Sequence, residues 1–472
     1  MIFTELPFFL FAAVVVSGYW WLANNASRKY WLIIASYFFY AAWDWRFLSL
    51  ILCSTVADYF FAQAIYRNGE QRIKRLWLLA SLFVNLGLLG FFKYFNFFAD
   101  SFVDLANLLG FSADPIMLDI ILPVGISFYT FQTLSYTLDV YRGQLKPTRS
   151  FSDFALFVAF FPQLVAGPIV RARDYLPQLT EKKLWDGVDL RWVALLFLVG
   201  FFKKAGVADN ISPYVDAYFA APEAYGFLDS WLAVSLYAVQ IYCDFSGYSD
   251  MAIAVAGLLG YRLRDNFNAP YLAMDITDFW RRWHMSLSSW LRDYLYISLG
   301  GNRYGRLFTY RNLFLTMLLG GLWHGASWNF ILWGAMHGVA LMVHKAWSEF
   351  YRGPRSSAFW ARGLAQCLTL FVVAMAWVPF RSALLDTTLL IWQKLLGLSA
   401  AGGAVLVEGG SLALWLGLLG LIGLHVASHR NIWAAYWRHC STYCFSICYG
   451  VAVALVLSLQ SMDYQPFIYF QF

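Results

Sequence analysis

Charge is scarce in this chain: 13% of its 472 residues are Asp, Glu, Lys or Arg, against 60% hydrophobic and 20% aromatic. Soluble domains carry about 25% charged residues, so the composition excludes an ordinary water-exposed fold. Polar linkers are missing too. No Gly/Ser tract, low-complexity segment or fixed-period repeat divides the chain, which reads as one domain over residues 1–472 with short loops. Familiar catalytic signatures are absent: there is no GxSxG, no GxxxxGKS/T and no HExxH. Nucleophile-elbow hydrolases, P-loop nucleotide chemistry and zinc proteases lose their support. Cysteine is sparse, with six residues, of which Cys440, Cys444 and Cys448 follow a spacing of four along one helical face. Neither acids nor a second cysteine pair accompany them and His439 stands alone, so they are expected to pack as small residues, not to bind metal. No basic residue precedes the first apolar run, MIFTELPFFLF, and no small-residue cleavage site is evident, so a retained first helix is expected, not a signal peptide.

What remains is apolar sequence of membrane-spanning length. PFFLFAAVVVSGYWWLA (7–23), LWLLASLFVNLGLLGFF (76–92), LRWVALLFLVGFF (190–202) and YGVAVALVLSLQS (449–461) approach the span of a bilayer. The expected fold is all-α, a polytopic helical membrane protein of about ten to twelve helices in one bundle. The net charge of +6 fits a positive-inside bias and does not argue for nucleic acid. By that rule RNGEQRIKR (67–75) and the region of Lys345, Arg352, Arg355 and Arg362 face the cytoplasm. The acidic connections 99–114 and 208–230 face outward, as do both termini, where Glu5 and Asp463 are the only charges.

The segments before residue 100 and the C-terminal helices over 363–461 are plain hydrophobic sequence, whereas the centre, about 121–345, mixes in polar, Gly and Pro residues. Pro123 and Gly125, and then Pro162 and Pro168, suggest broken helices whose freed backbone groups need protein or water partners. YCDFSGYSDMAIAVAGL (242–258) sets Asp244 and Asp250 between apolar arms. Two readings stay open for them, a functional carboxylate or one that caps a broken helix or pairs with an arginine.

FWRRWHMSLSSWLRDYLYISLGGNR (279–303) carries four arginines between apolar segments. At helical spacing Trp280, Trp283, Leu287, Leu291 and Tyr294 share one stripe, and Arg281, Arg282, Ser289, Arg292 and Asp293 the other face, which predicts one amphipathic helix. His284 falls within the apolar stripe and should face the interior. Residues 261–311 hold eight arginines against four aspartates. Arg281, Arg282 and Arg292 are therefore candidates to hold the phosphates of an activated donor, with lipid headgroups as the alternative occupant. In NLFLTMLLGGLWHGASWNFILWGAMHGVALMVH (312–344), Gly320, Gly321 and Gly325 surround His324, leaving it little bordering bulk. A desolvated imidazole there is suited to take a proton from a hydroxyl as its oxygen attacks a thioester carbonyl; a structural hydrogen-bonding role is the alternative. His337 and His344 are packing or supporting candidates, and no metal site is assembled.

These stretches, with LPVGISFYTFQTLSYTLDVYRG, FPQLVAGPIVR and YCDFSGYSDMA, resemble the membrane-bound O-acyltransferase family, in its bacterial polysaccharide O-acetyltransferase branch, over roughly residues 5–345. The resemblance implies a helical fold around a transmembrane cavity or funnel, with re-entrant or interfacial helices and a donor reached from the cytoplasm. It implies His324, in GGLWHG, as general base or acyl-handling residue, and His284, in FWRRWH, as a partner that orients or protonates. It also implies acetyl-CoA as the acetyl donor, with no permanently bound cofactor. The acyl group would pass to an exopolysaccharide of alginate or cellulose type, directly or through a periplasmic polysaccharide acetyltransferase partner, from a multi-pass protein of the bacterial inner membrane. Alginate-type members tend to carry histidine where this chain has Gln163. A carrier or scaffold subunit without its own chemistry is the competing expectation.

Overall fold

The structure is a computed structural model that describes residues 1–112, 114, 117–351, 358–399, 402, 404, 406, 412–429, 437, 439–461 and 465–468. Arg352, Arg355 and Asp463, used above to assign orientation, lie outside the described residues. The architecture is all-α: among the described residues the only β pairing is an isolated bridge between Tyr225 and Ala404. The chain forms two compact units, one of residues 1–193 with 252–264, the other of residues 194–251 with 265–472.

The first unit contains α1 (Leu6–Trp21), α2 (Asn25–Asp44), α3 (Leu48–Arg67), α4 (Gln71–Leu89), α5 (Phe95–Leu108), α6 (Ile126–Tyr141), α7 (Phe151–Ala159), the single turn α8 (Phe161–Leu164) and α9 (Ala172–Thr180). Local chemistry sets several boundaries. Asn24 caps α2 by accepting the Ala26 N–H, and Ser150 caps α7 by accepting that of Asp153. Gly125 opens α6 at φ 76°, where a Cβ would also press into the Leu164 carbonyl at 2.7 Å, so glycine is required twice over. Where the chain breaks around α8, protein supplies the partners: Ser36 Oγ accepts the Phe161 N–H at 3.1 Å, and Gln163 Nε2 donates to the Phe157 carbonyl at 2.8 Å.

Where α3 and α4 meet, this unit buries polar side chains and turns apolar ones outward. Asp58 and Asn85 are 0% and 1% exposed, whereas Phe60 and Phe83 on the same two helices are 61% and 80% exposed. Water does not tolerate that inversion; a hydrocarbon solvent does. Asp58 accepts from Ser81 Oγ at 2.5 Å, Asn85 Nδ2 at 2.7 Å and Thr137 Oγ1 at 3.3 Å, while Asn85 Oδ1 accepts from Ser54 and Thr133. The network ties α3, α4 and α6 together, each polar group meeting another instead of lipid. By length and apolarity Asn25–Arg67, Gln71–Leu108 and Phe359–Arg381 can cross a membrane, and Leu6–Trp21, Leu414–Ala427 and Thr442–Ser458 are shorter apolar helices.

The second unit starts within α10 (Leu190–Phe201) and continues through a π-helical turn over Phe202–Ala208 into α11 (Asp209–Ala220). α12 (Phe227–Leu258) follows, its last residues from Ala252 belonging to the first unit. Then come α13 (Ile276–Arg282), α14 (Met285–Trp290), α15 (Arg306–His324), α16 (Trp328–Phe350), α17 (Phe359–Arg381), α18 (Leu385–Leu395), α19 (Leu412–His429) and α20 (Thr442–Ser458). Two points are decided here. Of the readings left open for the 242–258 stretch, the helix break is excluded, since it lies in the unbroken 32-residue α12, and its acids pair with a basic partner that is lysine, not arginine. The amphipathic helix of 279–294 is not one helix: it breaks at His284, whose backbone is left-handed at φ 41°, into α13, α14 and a π-helical turn over Leu291–Tyr296. Its apolar stripe survives the break, because Trp280, Trp283, Leu287, Leu291 and Tyr294 are all buried. Cys444 and Cys448 face outward from α20 and are exposed among the described residues.

Candidate active site

The site grows from the interlock of α15 and α16. A Cβ on Gly334 would run into the Met317 carbonyl, and one on Gly321 into the Phe330 carbonyl and the Gly334 backbone, so the two helix backbones touch. The glycines near His324 therefore serve helix contact and do not leave open space. Contrary to the expectation of little bulk, the ring of His324 lies between Trp323, Trp333 and Phe380, with centroids at 5.0, 4.9 and 5.2 Å. His324 ends α15 and is 4% exposed. Phe380 comes from α17, from the region read as generic hydrophobic sequence, together with Trp377, whose ring is 5.0 Å from Trp283.

His284 is 0% exposed, facing the interior as its place in the stripe predicts. Its imidazole meets Phe245 of α12 edge-on at 4.6 Å and Trp323 at 6.4 Å. Trp323 thus lies beside both candidate histidines. Nδ1 of His284 is 3.1 Å from Oδ1 of Asn266, a residue the sequence reading passed over. His337 is set apart from the pair by Trp333, 4.8 Å from its ring, and its Nδ1 accepts from Trp280 Nε1 at 3.3 Å. That is a packing arrangement. His344 contacts Thr277 at 2.8 Å and Asp275 at 3.7 Å, farther along α16.

Charge inside this unit is neutralised locally. Lys203 pairs with Asp250 at 2.6 Å; Lys204 pairs with Asp209 at 2.7 Å and Asp244 at 2.8 Å. Asp244 also accepts the Ile468 N–H at 2.6 Å, and Phe467 packs on Tyr248 and Phe245 at 4.8 and 5.9 Å. A segment near the C-terminus is therefore packed behind the residue that touches His284. The two lysines, in FFKKAGVADN, were overlooked; their signal was a charge doublet inside an apolar run. Of the candidate donor-binding arginines, Arg282 pairs with Asp278 at 2.9 Å and Arg292 with Asp293 at 2.7 Å. Arg281 is exposed. Among the described residues no group of acids, histidines and cysteines is arranged to hold a metal ion.

A pair of buried histidines beside an exposed basic segment, in an apolar helical protein, suits proton transfer to or from an anionic, water-borne donor at a membrane. Comparison with known proteins gives the family. Residues 144–376 match the profile of MBOAT, the membrane-bound O-acyltransferase family. A probable alginate O-acetylase of Azotobacter vinelandii is 45% identical over 357 residues, 74% of this chain and 69% of the relative. The peptidoglycan O-acetyltransferase of Helicobacter pylori is 41% identical over 389 residues, 77% of this chain and 72% of its own. A probable alginate O-acetylase of Pseudomonas putida is 39% identical over 467 residues, 92% and 93% of the two chains. Both candidate histidines lie within the matched profile. The chain belongs to the membrane-bound O-acyltransferase family, and it is an O-acyltransferase of the membrane.

Proposed function

We propose that this protein moves acetyl groups from acetyl-CoA, taken from the cytoplasm, through the inner membrane to a hydroxyl of an exopolysaccharide of alginate or cellulose type. Delivery is direct or through a periplasmic polysaccharide acetyltransferase partner, and the protein is multi-pass. The observation that carries the reading is the buried pair His284 and His324, joined through the Trp323 ring. An imidazole in such a place accepts the hydroxyl proton as the oxygen attacks the thioester carbonyl; the C–S bond then breaks and the proton passes to the departing sulfur. The products are an O-acetyl ester and the free thiol. Arg281 is the arginine best placed for donor phosphate, since Arg282 and Arg292 already hold carboxylates.

Relatives of similar identity carry different acceptors in their names, alginate in one and peptidoglycan in the other, so acyl transfer is supported more broadly than any single polymer. A carrier reading leans on intramembrane charge, but Lys203 and Lys204 are each matched by aspartates, which supports a structural role for them. The test uses purified protein in lipid with labelled acetyl-CoA and an oligosaccharide acceptor. Thioester cleavage that falls at least about 100-fold in His324→Ala, with the folded fraction unchanged, supports the reading. Unchanged acetylation by that variant points to a scaffold, and acetyl movement without thioester cleavage to a carrier.

A further inference from the structure

We propose that Asn266 is a positioning residue that holds His284 as its Nδ1–H tautomer, so that the imidazole offers an electron pair at Nε2 and acts as proton acceptor in acyl transfer. The acceptor role rests on the function proposed above; the tautomer does not. An asparagine amide has the same shape either way round, so its neighbours decide which end is oxygen. One of them is decisive. The backbone N–H of Ser286 lies 3.2 Å from Oδ1, and a backbone N–H can only donate. Ser286 Oγ donates to the same oxygen at 2.8 Å, and at the other end of the amide Nδ2 donates to Ser249 Oγ at 3.1 Å. Turning the amide over would set its NH2 group against the Ser286 N–H.

With Oδ1 so fixed, Nδ1 of His284 faces, at 3.1 Å, an atom that carries no proton. The contact is attractive only if Nδ1 bears the hydrogen, and a neutral imidazole has one. The pair of electrons then belongs to Nε2. Ser286 Oγ also approaches Nδ1, at 3.4 Å, but its single proton is better placed on the amide oxygen. The clamp is held by backbone as well as side chain. Met285 N–H donates to the Asn266 carbonyl at 2.8 Å and Asn268 N–H to that of Arg282 at 2.9 Å, so residues 266–268 lie along the turn that puts His284 at φ 41°. A non-glycine residue in that conformation is sustained only when its surroundings over-determine it.

In the reaction, Nε2 takes the hydroxyl proton while the new C–O bond forms and the C–S bond of the thioester breaks; the same proton then leaves for the sulfur. During that interval Asn266 Oδ1 keeps its hold on the Nδ1–H of the imidazolium. His324 is left to handle the acyl group. The experiment reads the wild-type protein directly: a 15N spectrum of histidine-labelled protein in lipid, with the His284 signals identified by their loss in His284→Gln. A proton on Nδ1 and none on Nε2 is expected, and the same in Asn266→Asp, which keeps an oxygen at the contact. Asn266→Leu should shift protons toward Nε2 and lower kcat at least about 100-fold, with the KM for acetyl-CoA changed no more than about twofold. A wild-type proton on Nε2 overturns the proposal whether or not the Asn266 variants fold, and so does Asn266→Leu with normal kcat. If His284→Ala turns over normally while the wild-type proton sits on Nδ1, the acceptor role falls and the tautomer assignment stands; loss of activity in His324→Ala alone would then still support acyl transfer.

Discussion

Single residues here are decided by whether a buried polar group finds its partner. Asp58 is met by hydroxyl and amide donors of Ser81, Asn85 and Thr137, with no cation in the network among the described residues. Asp58→Ala should strand those donors and lower stability by about 1–3 kcal/mol, read as an earlier thermal transition in detergent. The same truncation at Phe60, which faces outward, should leave the transition within about 0.5 kcal/mol. At the membrane face, Arg281→Ala should raise the KM for acetyl-CoA with kcat nearly unchanged, and a wild-type KM would assign that guanidinium to lipid headgroups. The sequence placed His284 inward because helical spacing put it among tryptophans that are all buried. It could not reveal Asn266, since the contact joins residues 18 apart through a turn whose left-handed geometry no local pattern announces. It also misjudged the surroundings of His324: glycines were visible as neighbours in sequence, but the rings that enclose the imidazole come from three places, Trp323, Trp333 and Phe380.

At the scale of elements, close backbone approach and matched charge join helices here alongside apolar packing, because lipid offers no hydrophobic reward for packing one helix on another. Gly334→Leu should drive a side chain into the α15 backbone at Met317 and destabilise by at least about 1–3 kcal/mol, seen as loss of monodisperse protein on extraction. Lys204→Met should be worse, at about 3–5 kcal/mol, because Asp209 and Asp244 would share a buried site without their cation. Restoring neutrality with Asp209→Asn and Asp244→Asn alongside should recover a good part of that loss. Periodicity exposed the helices and the inward stripe of 280–294, yet not the break within it, since tertiary contacts with residues 266–268 impose the turn. The unbroken α12 was hidden for the opposite reason: a helix break was one of the readings its aspartates left open until their lysines are known.

Over the whole molecule, inverted polarity fixes the solvent. Apolar composition alone pointed to a bilayer, and the exposed phenylalanines beside a buried carboxylate give the physical reason. Cys448 sits on the outward face of α20 with Ile447 and Val451, so a lipid-soluble maleimide should label it in membranes where an impermeant one does not. Equal labelling by both would put that face in water. The cysteines were expected to pack because no metal-ligand companions accompany them, and their spacing, which puts them on one face, cannot say which way that face looks. Asp244 raises a matter of timing. One of its oxygens waits for the amide of Ile468, which leaves the ribosome 224 residues later. At roughly 5–20 residues per second, that is about 10–45 s during which a newly inserted α12 carries a half-solvated carboxylate in the bilayer. Nascent chains stalled short of residue 468 should therefore be preferred clients of membrane quality control.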